Sequence, residues 1–191
     1  IMEFVQPIRD PKQIQAIKKI LLAQSVRDHL LFVLGINCGL RISDILQLRV
    51  ADVVNDRGKP RPFYELRERK TKKGRRFPFS KNVQKAIELY TEKFGSTLEP
   101  DEYLFRSRQG SGPITRQRAH QLINDAARAV GIQERIGTHT LRKTFGYHAY
   151  KSGVDITLLQ SIFNHSSPSV TLRYIGITQD DMDDVIISLN L

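Results

Sequence analysis

One stretch of this chain, residues 63 to 79, is patterned like a pair of strands, and nearly everything around it carries the marks of helices. Phe63 to Arg67 and Arg75 to Phe79 are the strands, joined by the basic loop Lys70-Thr71-Lys72-Lys73-Gly74. A two-stranded sheet cannot bury a core of its own, so helices must supply it. Asp10-Pro11 supplies a cap and a first-turn proline. Ile14, Ile17, Ile20 and Leu21 follow at helical spacing. A second helix is expected from about Asp28 to Asn37, ended by Gly39, and a short one carries Ser43 to Leu48. Asn55 to Gly58 is a turn signal. Ser80 starts a helix reaching about Phe94, and Thr115 starts another reaching Val130, closed by Gly131. Further helices are expected over His139 to Lys151, Asp155 to Phe163, a short segment near Tyr174, and an acidic tail of about 178 to 191. The expected fold is mainly α with a small antiparallel β-sheet (α+β), a single domain over residues 1–191.

Charge narrows the partner. The formal net charge is +10 with 40% hydrophobic residues, so the chain has material for a core and a surface that attracts a polyanion. No apolar run approaches the roughly 20 residues of a membrane span. The N-terminus lacks the pattern of a signal peptide, and Met2 is a credible natural start. Cys38 is the sole cysteine, which removes a disulfide framework and a cysteine-rich metal site. These features point to a reducing, cytoplasmic setting and to no membrane partner.

Four segments carry groups able to handle a phosphate. His139 and Arg142 are three residues apart on a helix, hence on one face. Arg142 offers a planar fork and His139 a donor or proton carrier. Arg41 follows a glycine turn and precedes a helix, with Asp44 one turn on to steady it. His165 ends a helix nine residues before Tyr174, whose hydroxyl is a poor nucleophile unless a basic pocket stabilises the developing charge. The loop from Arg69 to Arg76 holds six Lys or Arg in eight residues, which suits a DNA backbone or minor groove. Taken one at a time, each is matched by an ordinary surface couple, a helix cap or a core aromatic, and that blander reading outweighs the chemical one.

Taken in order, the segments GLRISD, RKTKKGRRFPF, THTLRKTFGYH and NHSSPSVTLRY resemble the tyrosine recombinase (phage integrase) family over about residues 10 to 176. Asn164 departs from the glycine usual before the second histidine, and Phe163 from the common leucine. The resemblance implies a catalytic domain without the N-terminal core-binding domain of most relatives, similar to the small fimbrial phase-variation invertases. It implies site-specific DNA strand cleavage and rejoining without metal or cofactor. Tyr174 would form a 3′-phosphotyrosyl link. Arg41 and Arg142 would hold the nonbridging oxygens, and His165 would donate to the same group. Lys70 would be the general acid and His139 a general acid/base, with Asp44 orienting the basic cluster. Lys72, Lys73, Arg75, Arg76, Thr115, Arg116 and Arg118 would contact DNA.

The resemblance also implies a partner set: double-stranded DNA, and a homo-tetramer on paired sites that is a monomer or weak dimer without DNA. It implies a bacterial or phage-encoded protein associated with the nucleoid. The tail supports assembly, since four aspartates at 180, 181, 183 and 184 precede Val185, Ile186, Ile187, Leu189 and Leu191. That apolar stripe either packs on its own domain or docks on a neighbour. Two rival functions remain at this level: a catalytically silent DNA-binding regulator, whose reading helix would open at Thr115, and a relaxing topoisomerase of the IB type.

Overall fold

The computed structural model describes residues 5–67 and 74–189. Local capping chemistry sets most helix starts. Asp10 accepts from the Lys12 amide at 2.8 Å and opens α1 (Pro11–Gln24). Ser25 caps α2 (Val26–Cys38) through the Asp28 amide at 3.3 Å, two residues earlier than the pattern of apolar residues indicates. Gly39 ends α2 with φ +63°. This left-handed corner turns the chain into Arg41 and the short α3 (Ile42–Leu46). A one-turn helix unmarked by sequence periodicity, α4 (Val50–Val53), follows.

The expected strand pair forms, with β1 (Phe63–Arg67) antiparallel to β2 (Gly74–Pro78), the second strand one residue earlier than its pattern indicates, and Glu65 opposite Arg76. Ser80 caps α5 (Lys81–Phe94), and Thr115 caps α6 (Arg116–Ala129) by accepting from the Arg118 amide at 3.1 Å. Then come α7 (Thr138–Lys151), α8 (Ile156–Phe163), α9 (Pro168–Ile175) and α10 (Gln179–Leu189).

Two apolar cores result. In the larger, α2 is buried nearly all round and packs on α1, α5 and α7. Gly35 makes the α2–α7 crossing close: a Cβ there would lie 2.8 Å from Leu141 Cβ. The smaller core joins Leu159, Phe163 and Ile175 from α8 and α9, with Phe145 and Tyr174 packed against it. Gly146 of α7 makes room for it, because a Cβ there would lie 2.5 Å from Ile175 Cγ2 and 2.7 Å from Phe163 Cε2. Arg142, His139, His165 and Tyr174 meet at the notch between the two cores. Among the described residues, no helix is long and apolar enough to cross a membrane.

Candidate active site

Arg142 is the hinge of the site. It extends from α7, is 5% exposed, and donates through Nη1 to the Gly39 carbonyl and through Nη2 to the Phe163 carbonyl at 3.1 Å. Those carbonyls close α2 and α8, where the helix dipoles present negative ends. Its guanidinium also lies 4.6 Å from the centre of the Phe163 ring. A buried cation is expensive unless hydrogen-bonded, and two helix C-termini supply the compensation. Burial still pushes its pKa down, with Arg41 and Arg75 adding to the fall while Tyr174 and Asp44 oppose it.

Arg41 stands at the N-cap of α3, exposed to solvent. Its charge contributes to depressing both His139 and His165, so it lies within electrostatic range of the same side chains as Arg142. Asp44 does not clamp Arg41: among the described residues the two form no ion pair, and the Asp44 carboxylate acts on Arg142 and Tyr64 instead.

Tyr174 sits on α9 with its ring 4.9 Å from that of His165 and 5.5 Å from that of Phe163. Its hydroxyl lies 3.5 Å from His139 Nδ1, the outer limit of a hydrogen bond. Burial pushes the phenol pKa up, and the charges of Arg142 and Arg41 pull it back. The net shift is upward, so the two guanidiniums offset only part of the cost of burying a phenolate.

His165 follows Asn164, which adopts φ +56° at the end of α8. Asparagine tolerates that left-handed conformation, so the departure from glycine leaves the turn intact. His165 Nδ1 lies 3.1 Å from Thr171 Oγ1 of the buried Thr171, which orients the ring. Both histidines are held below the ordinary imidazole value. Burial leads for each, followed by Arg116, Lys143, Arg142 and Arg41 for His139, and by Arg142 and Arg41 for His165. Neutral rings in a basic notch gain most from an incoming anion, which would raise both.

Lys70, Lys72 and Lys73 lie outside the described residues. Of the other expected DNA contacts, Arg76 stacks on Phe63, with 3.6 Å from guanidinium to ring centre, and remains exposed. Arg116 and Arg118 are exposed on the first turn of α6, Arg118 bonded to Gln121 at 3.0 Å. Arg75 turns inward, donating to the Ile162 carbonyl near the end of α8, and so docks β2 beside the site. A further residue escaped sequence reasoning. Lys143 is 6% exposed with Nζ 5.1 Å from the centre of the Tyr174 ring. Its only sequence signal is adjacency to Arg142. Among the described residues, no group of three or more His, Cys, Asp or Glu is placed to hold a metal ion.

Comparison with known proteins identifies the family and the fold. Residues 9–180 match the Phage integrase family. The chain is 48% identical over 179 residues to the probable integrase/recombinase YoeC of Bacillus subtilis, covering 94% of this chain and 93% of that protein. It is 31% identical to a tyrosine recombinase of Pseudothermotoga lettingae, covering 95% of this chain but 64% of the relative. Among solved structures, XerA recombinase superposes with a TM-score of 0.77 at 20% identity, covering 97% of this chain and 64% of that one. XerH bound to palindromic difH substrate in a post-cleavage complex gives a TM-score of 0.73 at 17% identity, with 97% and 53% covered. The fold, the clustered Arg, His and Tyr side chains and the match over residues 9–180 together make this chain a member of the phage integrase family of tyrosine recombinases.

Proposed function

We propose that the chain is a site-specific DNA recombinase that breaks and rejoins strands through a 3′-phosphotyrosyl intermediate. The observation carrying this reading is the convergence of Tyr174, His139, His165 and two arginines on one notch, with the Tyr174 hydroxyl 3.5 Å from His139 Nδ1. A phosphodiester seated there would have its nonbridging oxygens held by Arg41, Arg142 and His165. The Tyr174 oxygen attacks phosphorus in line, the P–O5′ bond breaks, and the hydroxyl proton passes to a base, for which His139 is in position. Lys70, between β1 and β2 in the sequence, supplies the proton that the departing 5′-oxygen takes up. Asp44 adjusts the field at Arg142. One phosphodiester replaces another, so a 5′-hydroxyl from a partner strand reverses the step without an external energy source.

DNA binding draws on the net charge of +10 and on Lys72, Lys73, Arg76, Thr115, Arg116 and Arg118, while Arg75 is engaged with the end of α8. Assembly into a tetramer on paired sites, from a monomer or weak dimer without DNA, is assigned to α10. Val185, Ile186, Ile187 and Leu189 are 56%, 74%, 73% and 57% exposed, so this stripe is not buried on its own domain. α10 is tied back by Lys151 Nζ to Asp181 at 3.2 Å, a partly exposed pair of small energetic value. The site of action in this reading is the nucleoid, in the cytoplasm of a bacterium.

The test is a nicked suicide substrate that traps the covalent adduct. The wild-type chain should form it in excess EDTA, and Tyr174→Phe should bind the same DNA without forming it. An adduct in the Phe variant, or a strict requirement for Mg²⁺, would defeat this reading.

A further inference from the structure

Ahead of α1, residues 5–9 form a strap across α7. The Gln6 amide donates to the Arg135 carbonyl at 2.8 Å, and the Ile8 amide to Thr144 Oγ1 at 2.9 Å. His148 Nε2 lies 2.8 Å from the Ile8 carbonyl, and the Ile8 side chain is 1% exposed. This strap is therefore anchored along most of its length before it reaches Arg9.

The Arg9 guanidinium then spans to a different element. Nη2 donates to the Gly176 carbonyl at 3.0 Å and to Gln6 Oε1 at 3.0 Å, and the group lies 5.5 Å from the centre of the Tyr147 ring. Gly176 is the C-cap of α9, two residues past Tyr174, with φ +80°. The strap closes tightly on it: a Cβ at Gly176 would lie 3.0 Å from Arg9 Nη2 and 3.0 Å from Pro7 Cδ.

α9 has eight residues, too few to hold a helix unaided. Its buried side chains are Thr171 and Ile175 alone. Beside the ring contacts of Tyr174 and the burial of Ile175, the pose of Tyr174 thus draws on ties at the two ends of α9. At the N-terminal end Thr171 meets His165, and at the C-terminal end a cation meets the negative end of the helix dipole.

We propose that Arg9 is a positioning residue for the nucleophile: it caps the C-terminal end of α9 through the Gly176 carbonyl and holds Tyr174 in line with the phosphate. The proposal rests on Tyr174 being the nucleophile. Arg9 touches neither that side chain nor the phosphate seat; it acts through the backbone of α9. Misplacing an attacking atom by about an ångström lowers a rate on the order of a hundredfold.

Arg9→Ala, Arg9→Lys and Arg9→Gln are compared with the wild-type chain on the nicked substrate under single-turnover conditions, below the unfolding transition of each. Expected for Arg9→Ala is a cleavage rate lower by about ten- to a hundredfold. Single-site affinity stays unchanged, and amide exchange at residues 172–176 is faster. Arg9→Lys regains most of the rate, because an ammonium reaches the same carbonyl. Arg9→Gln, which keeps a donor without charge, falls between and carries the comparison if Arg9→Ala does not fold. A 5′-bridging sulfur, which leaves without a proton, should not rescue Arg9→Ala, since the leaving group is not what is impaired. Wild-type cleavage in the folded variants, loss of rate matched by loss of affinity, or rescue by sulfur would each overturn the proposal. If the wild-type chain itself forms no adduct, the nucleophile assignment fails first and takes this one with it.

Discussion

Gly35 should be the least forgiving backbone position outside the site. It lies at the start of the last turn of α2, where replacing glycine by alanine ordinarily stabilises a helix by up to about 1 kcal/mol. Here the added Cβ would meet Leu141, 2.8 Å from Cβ and 3.1 Å from Cγ, with Cδ1 closer still. A contact with Leu141 Cβ cannot be relieved by a rotamer change, so α2 and α7 must separate. Overpacking of this kind costs about 1–3 kcal/mol, and a clash with a near-backbone atom belongs at the upper end. The net expectation for Gly35→Ala is a loss of about 2 kcal/mol, after the helix gain is offset against the strain. For a chain of this size that lowers the melting temperature by about 4–8 °C. Leu141→Ala alone should cost about 2–5 kcal/mol through the cavity it leaves. Combined, the two should cost less than their sum by about 1 kcal/mol, because removing Cγ and Cδ1 relieves part of the clash. Urea unfolding of the four proteins, with unfolding slopes compared, measures the cycle. A Gly35→Ala chain as stable as the parent, or strictly additive losses, would refute the close crossing.

Four further outcomes are expected. Arg142→Lys cannot span the Gly39 and Phe163 carbonyls and present a fork to phosphate, so adduct formation should fall about 10²–10³-fold with DNA binding retained, measured on the nicked substrate. His29, His139 and His165 are each held below the ordinary imidazole value, chiefly by burial. As pH falls below about 6.5 the unfolded chain protonates first, so stability present at pH 7.5 is lost towards pH 5.5; an unchanged or higher melting temperature at pH 5.5 would contradict this. Burial pushes the Cys38 thiol up to about 12, so a thiol reagent at pH 8 should leave the native protein unmodified and label it in denaturant. Replacing Ile186 and Ile187 by Asp should shift unfolding by no more than about 0.5 kcal/mol, since both are exposed, yet abolish complexes that hold two sites, seen by gel mobility.

The parts legible in the sequence were those written locally. Asp10, Ser80, Thr115, Gly39 and Gly131 mark helix ends by the hydrogen bonds and left-handed turns their own side chains or lack of one permit. α4 escaped because four residues carry no periodicity, only the bond from the Arg49 amide to Asp52 at 2.7 Å. Arg41, His139, Arg142, His165 and Tyr174 were legible as an ordered set; the fold sets Tyr174 beside His139 and His165, with Arg142 and Arg41 in electrostatic range. Arg9, Arg75 and Lys143 were not legible in these roles. Their partners are carbonyls and a ring separated from them by 167, 87 and 31 residues, respectively, and nothing at either end of such a pair announces the other.

The clasp of Arg142 between two helix ends makes the two arginines of the notch thermodynamically unequal. A guanidinium has five N–H donors; Arg142 commits one on each terminal nitrogen to a carbonyl and also engages the Tyr174 hydroxyl. Its rotamers were frozen when the chain folded. Arg41 is exposed and must be frozen when DNA arrives, at an entropic cost of about 1.5–2 kcal/mol for a full side chain. In the proposed reaction a scissile phosphate would therefore meet one fixed seat and one closing grip. The seat would set where phosphorus sits relative to Tyr174. The grip would make retention of that phosphate depend on temperature and on whatever else the surrounding DNA asks of the loop after Gly39.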